Sequence, residues 1–267
     1  MSQRNSVRTH LLAIALTGFA ICACSSQAAT STYSTNGAAP MSTITSTDPC
    51  TGIDGCREVA TVDVDGDGAL DRVGVATTQQ LPPSHNVAVG EATVTVAVAV
   101  QSTVSRIDVN SPGLLPGFDS FPQPYVGAYR ISRTNGADLV LHTKMGQGAP
   151  EQFAVIGWKD RRPILVDRPP AEADDSRSAS VWYIGSSHGI REWVTCSDGA
   201  AVTMNRLSAA VAEGLPVPGG GIREENLFVF EGDSWLPNGS RNIADNNFSY
   251  DYDPHTQTFQ CEDQALH

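Results

Sequence analysis

The stretch Thr61-Val62-Asp63-Val64-Asp65-Gly66-Asp67-Gly68-Ala69-Leu70-Asp71-Arg72-Val73 concentrates the chemistry of this chain. Its aspartates stand at positions 1, 3, 5 and 9 of a loop, with Gly68 at position 6, where a sharp turn is needed. Calcium takes about six to eight oxygens at roughly 2.3–2.6 Å, drawn from carboxylates, a backbone carbonyl and water. Asp63, Asp65, Asp67 and Asp71 offer the carboxylates, and the carbonyl of Ala69 at position 7 can complete the shell. Position 12 is Gly74 where an EF-hand would carry a bidentate glutamate, and Arg72 to Ala76 reads as a strand, so the loop is not an EF-hand. Without a cation the four carboxylates repel one another, and Arg72 alone is too little to hold them.

A loop Asp63-x-Asp65-Gly66-Asp67-Gly68-x-x-Asp71 between two strand-like segments resembles the calcium loop of FG-GAP/VCBS-type repeats, known from integrin α-chain propellers and many secreted bacterial proteins. The match covers about fifteen residues. The remainder is more loosely similar to actinobacterial lipoproteins with a Ser/Thr-rich tether and a β-rich body ending in a Cys-containing segment. The resemblance implies a fold class and a structural calcium ion, and no activity. The chain departs from integrin-type repeats in showing one clear loop.

Other constellations carry less. Gly185-Ser186-Ser187-His188-Gly189 fits the G-x-S-x-G pattern of a nucleophile elbow, which joins a parallel strand to a helix. Here Ile190 to Cys196 continues in strand style, and Asp233 or Asp245 with His255 would have to complete a triad. Asp245-Asn246-Asn247 with Asp251 and Asp253 could hold a second cation, but Asn and Asp also favour turns through side-chain bonds to their own backbone. Gly219-Gly220-Gly221 and Met145-Gly146-Gln147-Gly148 read as flexible loops, since neither lies between a strand and a helix as a phosphate cradle would; nucleotide binding is not expected. Trp158, Trp182, Tyr183, Trp193 and Trp235 could line a carbohydrate face, although such residues more often fill a β-core.

Of six cysteines, Cys24 fits a lipid attachment site. Arg4 and Arg8 precede an apolar run from Leu11 to Ala23, too short to span a bilayer and of signal-peptide length. Ile21-Cys22-Ala23-Cys24 resembles a bacterial lipobox, which implies cleavage before Cys24 and a diacylglyceryl anchor on it. Cys22 then leaves with the signal, and Cys50, Cys56, Cys196 and Cys261 enter an oxidising compartment. Four cysteines allow three pairings. Gly52 and Gly55 make a tight Cys50–Cys56 loop easy, leaving Cys196–Cys261. No C-x-x-C spacing or nearby histidine supports zinc.

The expected organisation is a signal over 1–23, a lipidated Ser/Thr-rich tether over 24–47 and a single β-rich domain over 48–267. Loss of Arg4 and Arg8 leaves 15 basic against 29 acidic side chains, a net charge of −14. Nucleic acid and anionic lipid surfaces demand a basic face and are poor partners.

The elements that must position the loop are strands. In Thr93 to Val100 the valines alternate with Thr and Ala, as a half-buried strand requires. Further strands are expected at Ala137 to His142, Glu151 to Trp158, Pro163 to Val166, Ser180 to Ile184, Glu192 to Cys196, Leu227 to Phe230 and Phe248 to Tyr252. Turns are expected at Lys159-Asp160, Glu231 to Ser234 and Asp253 to Thr256. Asn205 to Glu213 has helical composition and stops at Gly214. Proline-rich loops are expected at Pro112 to Pro124, Pro169-Pro170 and Pro216 to Gly221. No repeat recurs with a fixed period. The expectation is an all-β fold of antiparallel sheets (a sandwich, barrel or partial propeller-like arrangement) with one calcium loop and at most one short helix. In function, the chain reads as a lipid-anchored protein on the outer face of the bacterial plasma membrane, with a non-enzymatic, calcium-stabilised binding or structural domain that engages an envelope protein or glycan. A serine esterase or peptidase using Ser187, or a glycan-binding module, stands as the alternative.

Overall fold

A computed structural model of the chain describes residues 47–77, 91–112, 124–133, 135–144, 150–170, 178–197, 200–249 and 257–265. Among the described residues, three open sheets contain fifteen strands, and none of these sheets closes into a barrel. The first is an antiparallel meander of β1 (Arg57–Val62), β2 (Asp71–Thr77), β3 (Glu91–Val100) and β4 (Thr103–Pro112). The second repeats that order with β5 (Tyr125–Tyr129), β6 (Asp138–Lys144), β7 (Glu151–Lys159) and β8 (Arg162–Val166); β9 (Trp182–Ile184) also pairs with β7. The third runs β10 (Ser186–Ser187), β11 (Ile190–Ser197), β12 (Ala201–Ala212), β13 (Leu215–Glu231) and β14 (Ser234–Ala244), with β15 (Phe259–Gln260) parallel to β11.

The second sheet lies between two cores. Leu139, Leu141, Ala154 and Ile156 face the valines of the first sheet, among them Val73, Val94, Val96 and Val98. Val140, Phe153 and Val155 face the opposite way and meet Val194, Val202, Phe228 and Phe259 of the third sheet, together with Trp182 and Trp235. Burial on both faces explains why apolar residues run consecutively through Leu139–Leu141 of β6 and Phe153–Ile156 of β7 rather than alternating. Each fully buried large apolar side chain contributes roughly 1.5–3 kcal/mol of transfer free energy.

Tertiary pairing overrides local composition in two places. Asn205 to Glu213, expected as a helix, lies almost wholly in β12, where every residue from Ala201 to Ser208 pairs with β11. Alternation decides it: Val202 enters the second core, while Leu207 and Ala209 pack with Trp193 and Phe248 on the other face. Gly214, the expected helix stop, is instead the second residue of a hairpin turn, with φ of 54° at Glu213 and 81° at Gly214. Pro216 to Gly221, expected as a loop, belongs to β13 and faces Val211 through Ala209, with a bulge opposite Ala209 and Ala210. Prolines are tolerated there because β14 joins β13 only from Ile222 onward, so Pro216 and Pro218 sit on an open edge.

The turn expected at Lys159-Asp160 falls one residue later, at Asp160-Arg161, because Lys159 pairs with Arg162; it and the expected turn at Gly232-Asp233 form two-residue hairpins with positive φ at both positions. Phe248 and Ser249 are not in a strand, and the rest of that expected strand, like Asp253 to Thr256 and Met145 to Gly148, lies outside the described residues.

Both disulfides form as paired above. Cys50–Cys56 has a Cα separation of 5.3 Å and Cys196–Cys261 one of 5.0 Å. The first lies on β2: a Cβ placed on Gly74 would meet both sulfurs at 2.8 Å. The residue that broke the EF-hand pattern is therefore the one that admits the disulfide.

Candidate metal centre and a separate cleft

The Asp-rich loop joins β1 to β2, and Asp71 opens β2 opposite Val62. Gly66 and Gly68 take φ of 85° and 87°, which side chains other than glycine rarely adopt. The carboxylates organise the loop backbone: Asp63 accepts from Gly66 N at 2.7 Å and Gly68 N at 3.0 Å, Asp65 from Asp67 N at 3.1 Å, and Asp67 from Ala69 N at 2.7 Å. Asp71 turns back into the loop, where its Oδ2 accepts from Val64 N at 2.9 Å.

Oxygens of Asp63, Asp65 and Asp71 lie within 4.8 Å of one another. Asp67 is exposed and stands outside that trio. Asp71 is 2% exposed, and its carboxyl is pushed up to about 6, first by burial and further by the charges of Asp65 and Asp67, against the pull of backbone donors. Arg72 does not offset this charge, because its guanidinium pairs with Glu58 across the β1–β2 ladder. Three converging hard oxygen donors, one of them buried among like charges, fit the donor chemistry of a calcium-type ion. No His or Cys joins them among the described residues.

Ser187 pairs with Ile190 in the β10–β11 hairpin, whose turn is His188-Gly189 with φ of 49° and 80°. A two-residue antiparallel turn is not the strand-to-helix backbone of a nucleophile elbow. Asp233 pairs with Lys159, Asp245 accepts from Arg223 Nη1 at 3.0 Å, and His255 lies outside the described residues. Asp245 also caps Asn247 N at 2.9 Å, the turn role rather than the cation role; Asp251 and Asp253 lie outside the described residues.

The tryptophans are core residues. Trp182 and Trp235 are buried edge to face at 6.2 Å and donate to the carbonyls of Val166 and Asp167. Trp193 is buried beneath Arg191, and Trp158 packs against the first core. Of the five, Tyr183 lines a cleft of about 820 Å³ formed by β12, β13 and β14 together with Pro150, Arg168 and His188. Its lining includes Met204, Asn226, Phe228, Tyr183, His188 and Arg168, whose guanidinium lies 5.9 Å from the Tyr183 ring. Tyr183, Gly185 and His188 stood out in the sequence for other reasons, but no single pattern gathers the cleft, because its residues come from segments far apart in the chain. Compared with known proteins, the chain matches no family model, no curated sequence and no solved structure.

Proposed function

We propose that this chain is a lipoprotein of the bacterial cell envelope, anchored through Cys24 on the outer face of the plasma membrane. Its β-rich body is a non-enzymatic binding or structural domain stiffened by calcium. The observation that carries the calcium reading is the convergence of Asp63, Asp65 and Asp71 around a buried carboxyl. These three would hold the ion, with Asp67 and the Ala69 carbonyl as the further ligands expected of the loop. A bound cation would supply countercharge and cross-link the loop, a structural contribution. The cleft beside Tyr183 is the surface on which the domain would engage an envelope protein or glycan. The hairpin geometry at Ser187 and the burial of three of the four tryptophans favour this reading over an esterase or an aromatic glycan platform.

The test is the melting midpoint of the purified, disulfide-intact chain in EDTA and in millimolar calcium. A ligand at about a hundred times its dissociation constant adds about 2.7 kcal/mol, enough to raise the midpoint by several degrees. Asp65→Ala should abolish the rise. An unchanged midpoint in wild type refutes the calcium reading. For the anchor, metabolic labelling with palmitate in an exporting host should be lost in Cys24→Ala. Fluorophosphonate labelling lost in Ser187→Ala would instead establish the esterase.

A further inference from the structure

The loop between β5 and β6 repeats the loop between β1 and β2. Asp138 opens β6 opposite Tyr129, as Asp71 opens β2 opposite Val62. Asp138 Oδ2 accepts from Ile131 N, seven residues back, at 3.2 Å, as Asp71 Oδ2 accepts from Val64 N, seven residues back, at 2.9 Å. The bulge in β1 falls between Glu58 and Ala60, and that in β5 between Tyr125 and Gly127. One shift of 67 residues (71 to 138) superposes the aspartates, the strand partners, the backbone donors and the bulges alike. Both meanders then end in a two-residue hairpin, β3–β4 and β7–β8. Under this shift Asp63, Asp65 and Asp67 correspond to Arg130, Ser132 and Thr134, so the second loop keeps only the closing aspartate.

That aspartate is fully buried, and what faces it is a guanidinium. Arg133 Nε lies 3.4 Å from Asp138 Oδ1, while its terminal nitrogens donate to the carbonyls of Ala137 at 2.9 Å, Trp158 at 3.1 Å and Val64 at 2.8 Å. One carboxylate and three carbonyls around a single positive group is an oxygen shell of the kind a cation would collect. The Val64 carbonyl belongs to the first loop, and the two loops touch elsewhere as well. Ala137 N donates to the Asp63 carbonyl at 2.8 Å, and a Cβ on Gly136 would meet the Val64 carbonyl at 2.8 Å.

We propose that the described residues of the loop closed by Asp138 (130–133 and 135–138) form a second copy of the first loop in which the Arg133 guanidinium stands in for the cation, and that Arg133 thereby clamps Val64 and positions the metal ligands of the first copy. The clamp rests on the calcium reading above; the stand-in does not. Arg133 holds the carbonyl of the residue whose N–H holds Asp71, so it is a positioning residue that touches no ion.

Two measurements on the purified, disulfide-intact chain test this. In EDTA, Arg133→Met should lower the melting midpoint by several degrees, and by less than half as much in an Asp138→Asn background, because the carboxylate it balances is then gone. Equal losses in both backgrounds overturn the stand-in. By calorimetric titration with calcium, Arg133→Met should weaken binding about 10- to 100-fold, as loss of an outer-shell partner does, with one ion per chain in wild type. Unchanged affinity overturns the clamp. If Arg133→Met does not fold, Arg133→Lys keeps the charge and loses the fork: it should retain coupling to Asp138 and still lose calcium affinity, and retention of full affinity overturns the clamp. Wild type that binds no calcium sinks the calcium reading, and the cycle in EDTA still decides the stand-in.

Discussion

Removing the Cys196–Cys261 bridge by Cys196→Ala/Cys261→Ala should cost far more stability than sequence position near the C-terminus suggests. The cysteines are 65 residues apart, and the chain-entropy model assigns a loop of that length about 4.4 kcal/mol; Cys50–Cys56, separated by 6, receives about 2.4 kcal/mol. The structure shows what the long bridge retains. Cys261 follows the two-residue β15, whose Phe259 is buried with ring centroids 5.6 Å from Phe153, 5.9 Å from Trp182 and 6.1 Å from Tyr129. A strand this short has little pairing of its own, so the bridge and Phe259 together hold the C-terminal segment against β11. In urea, with a slope of about 2–3 kcal/mol/M, the midpoint should fall by roughly 1.5–2 M. Tryptophan fluorescence follows the transition, since Trp182 lies beside Phe259. Cys50→Ala/Cys56→Ala should move the midpoint about half as far, plus whatever the emptied space over Gly74 costs. A larger loss for the short-loop variant than for the long-loop variant would refute the loop-entropy reasoning.

Gly74→Ala should destabilise the chain by about 1–3 kcal/mol in the same assay, because the new methyl would overlap both sulfurs of Cys50–Cys56; recovery is expected when the two cysteines are also replaced by alanine. The cost of Arg133→Met should shrink on acidification from about pH 8 to about pH 5. Burial holds the Asp138 carboxyl above its ordinary range, opposed first by Arg133 and then by the Ser132 and Ile131 donors. Without the guanidinium its folded pKa climbs further above the unfolded value, so the native state binds the proton more tightly and regains stability as pH falls through that pKa. A constant or growing cost on acidification, read from urea midpoints across this range, would show that Arg133 does not balance this carboxyl.

Much of the architecture is written in local pattern. The valines of β3 repeat every second residue, and one face of them forms the first core. Residues 63–71 stood out as a candidate cation loop, because alternating aspartates and glycines specify a tight turn with converging carboxylates, and the structure brings three of those carboxylates together. The short cysteine pairing was legible from two glycines that now hold φ of 71° and 68° at Gly52 and Gly55. These signals are carried by neighbours in the chain, where spacing alone sets geometry.

What tertiary structure decided depended on partners far away in sequence. Residues 205–213 have helix-forming side chains, yet pairing of β12 with β11 and β13 satisfies the backbone and sends Leu207 and, earlier in the same strand, Val202 to opposite cores. The second loop kept one aspartate of four, and Arg133 reveals its role only when Asp138, Val64 and Trp158 are placed around it. The cleft exists because strands remote in sequence bring Arg168, Tyr183 and Phe228 to one surface. Periodicity records which face of a strand meets a core, but which strand lies opposite is a property of the packed sheets, and that packing is what turned an isolated acidic loop into one of a pair.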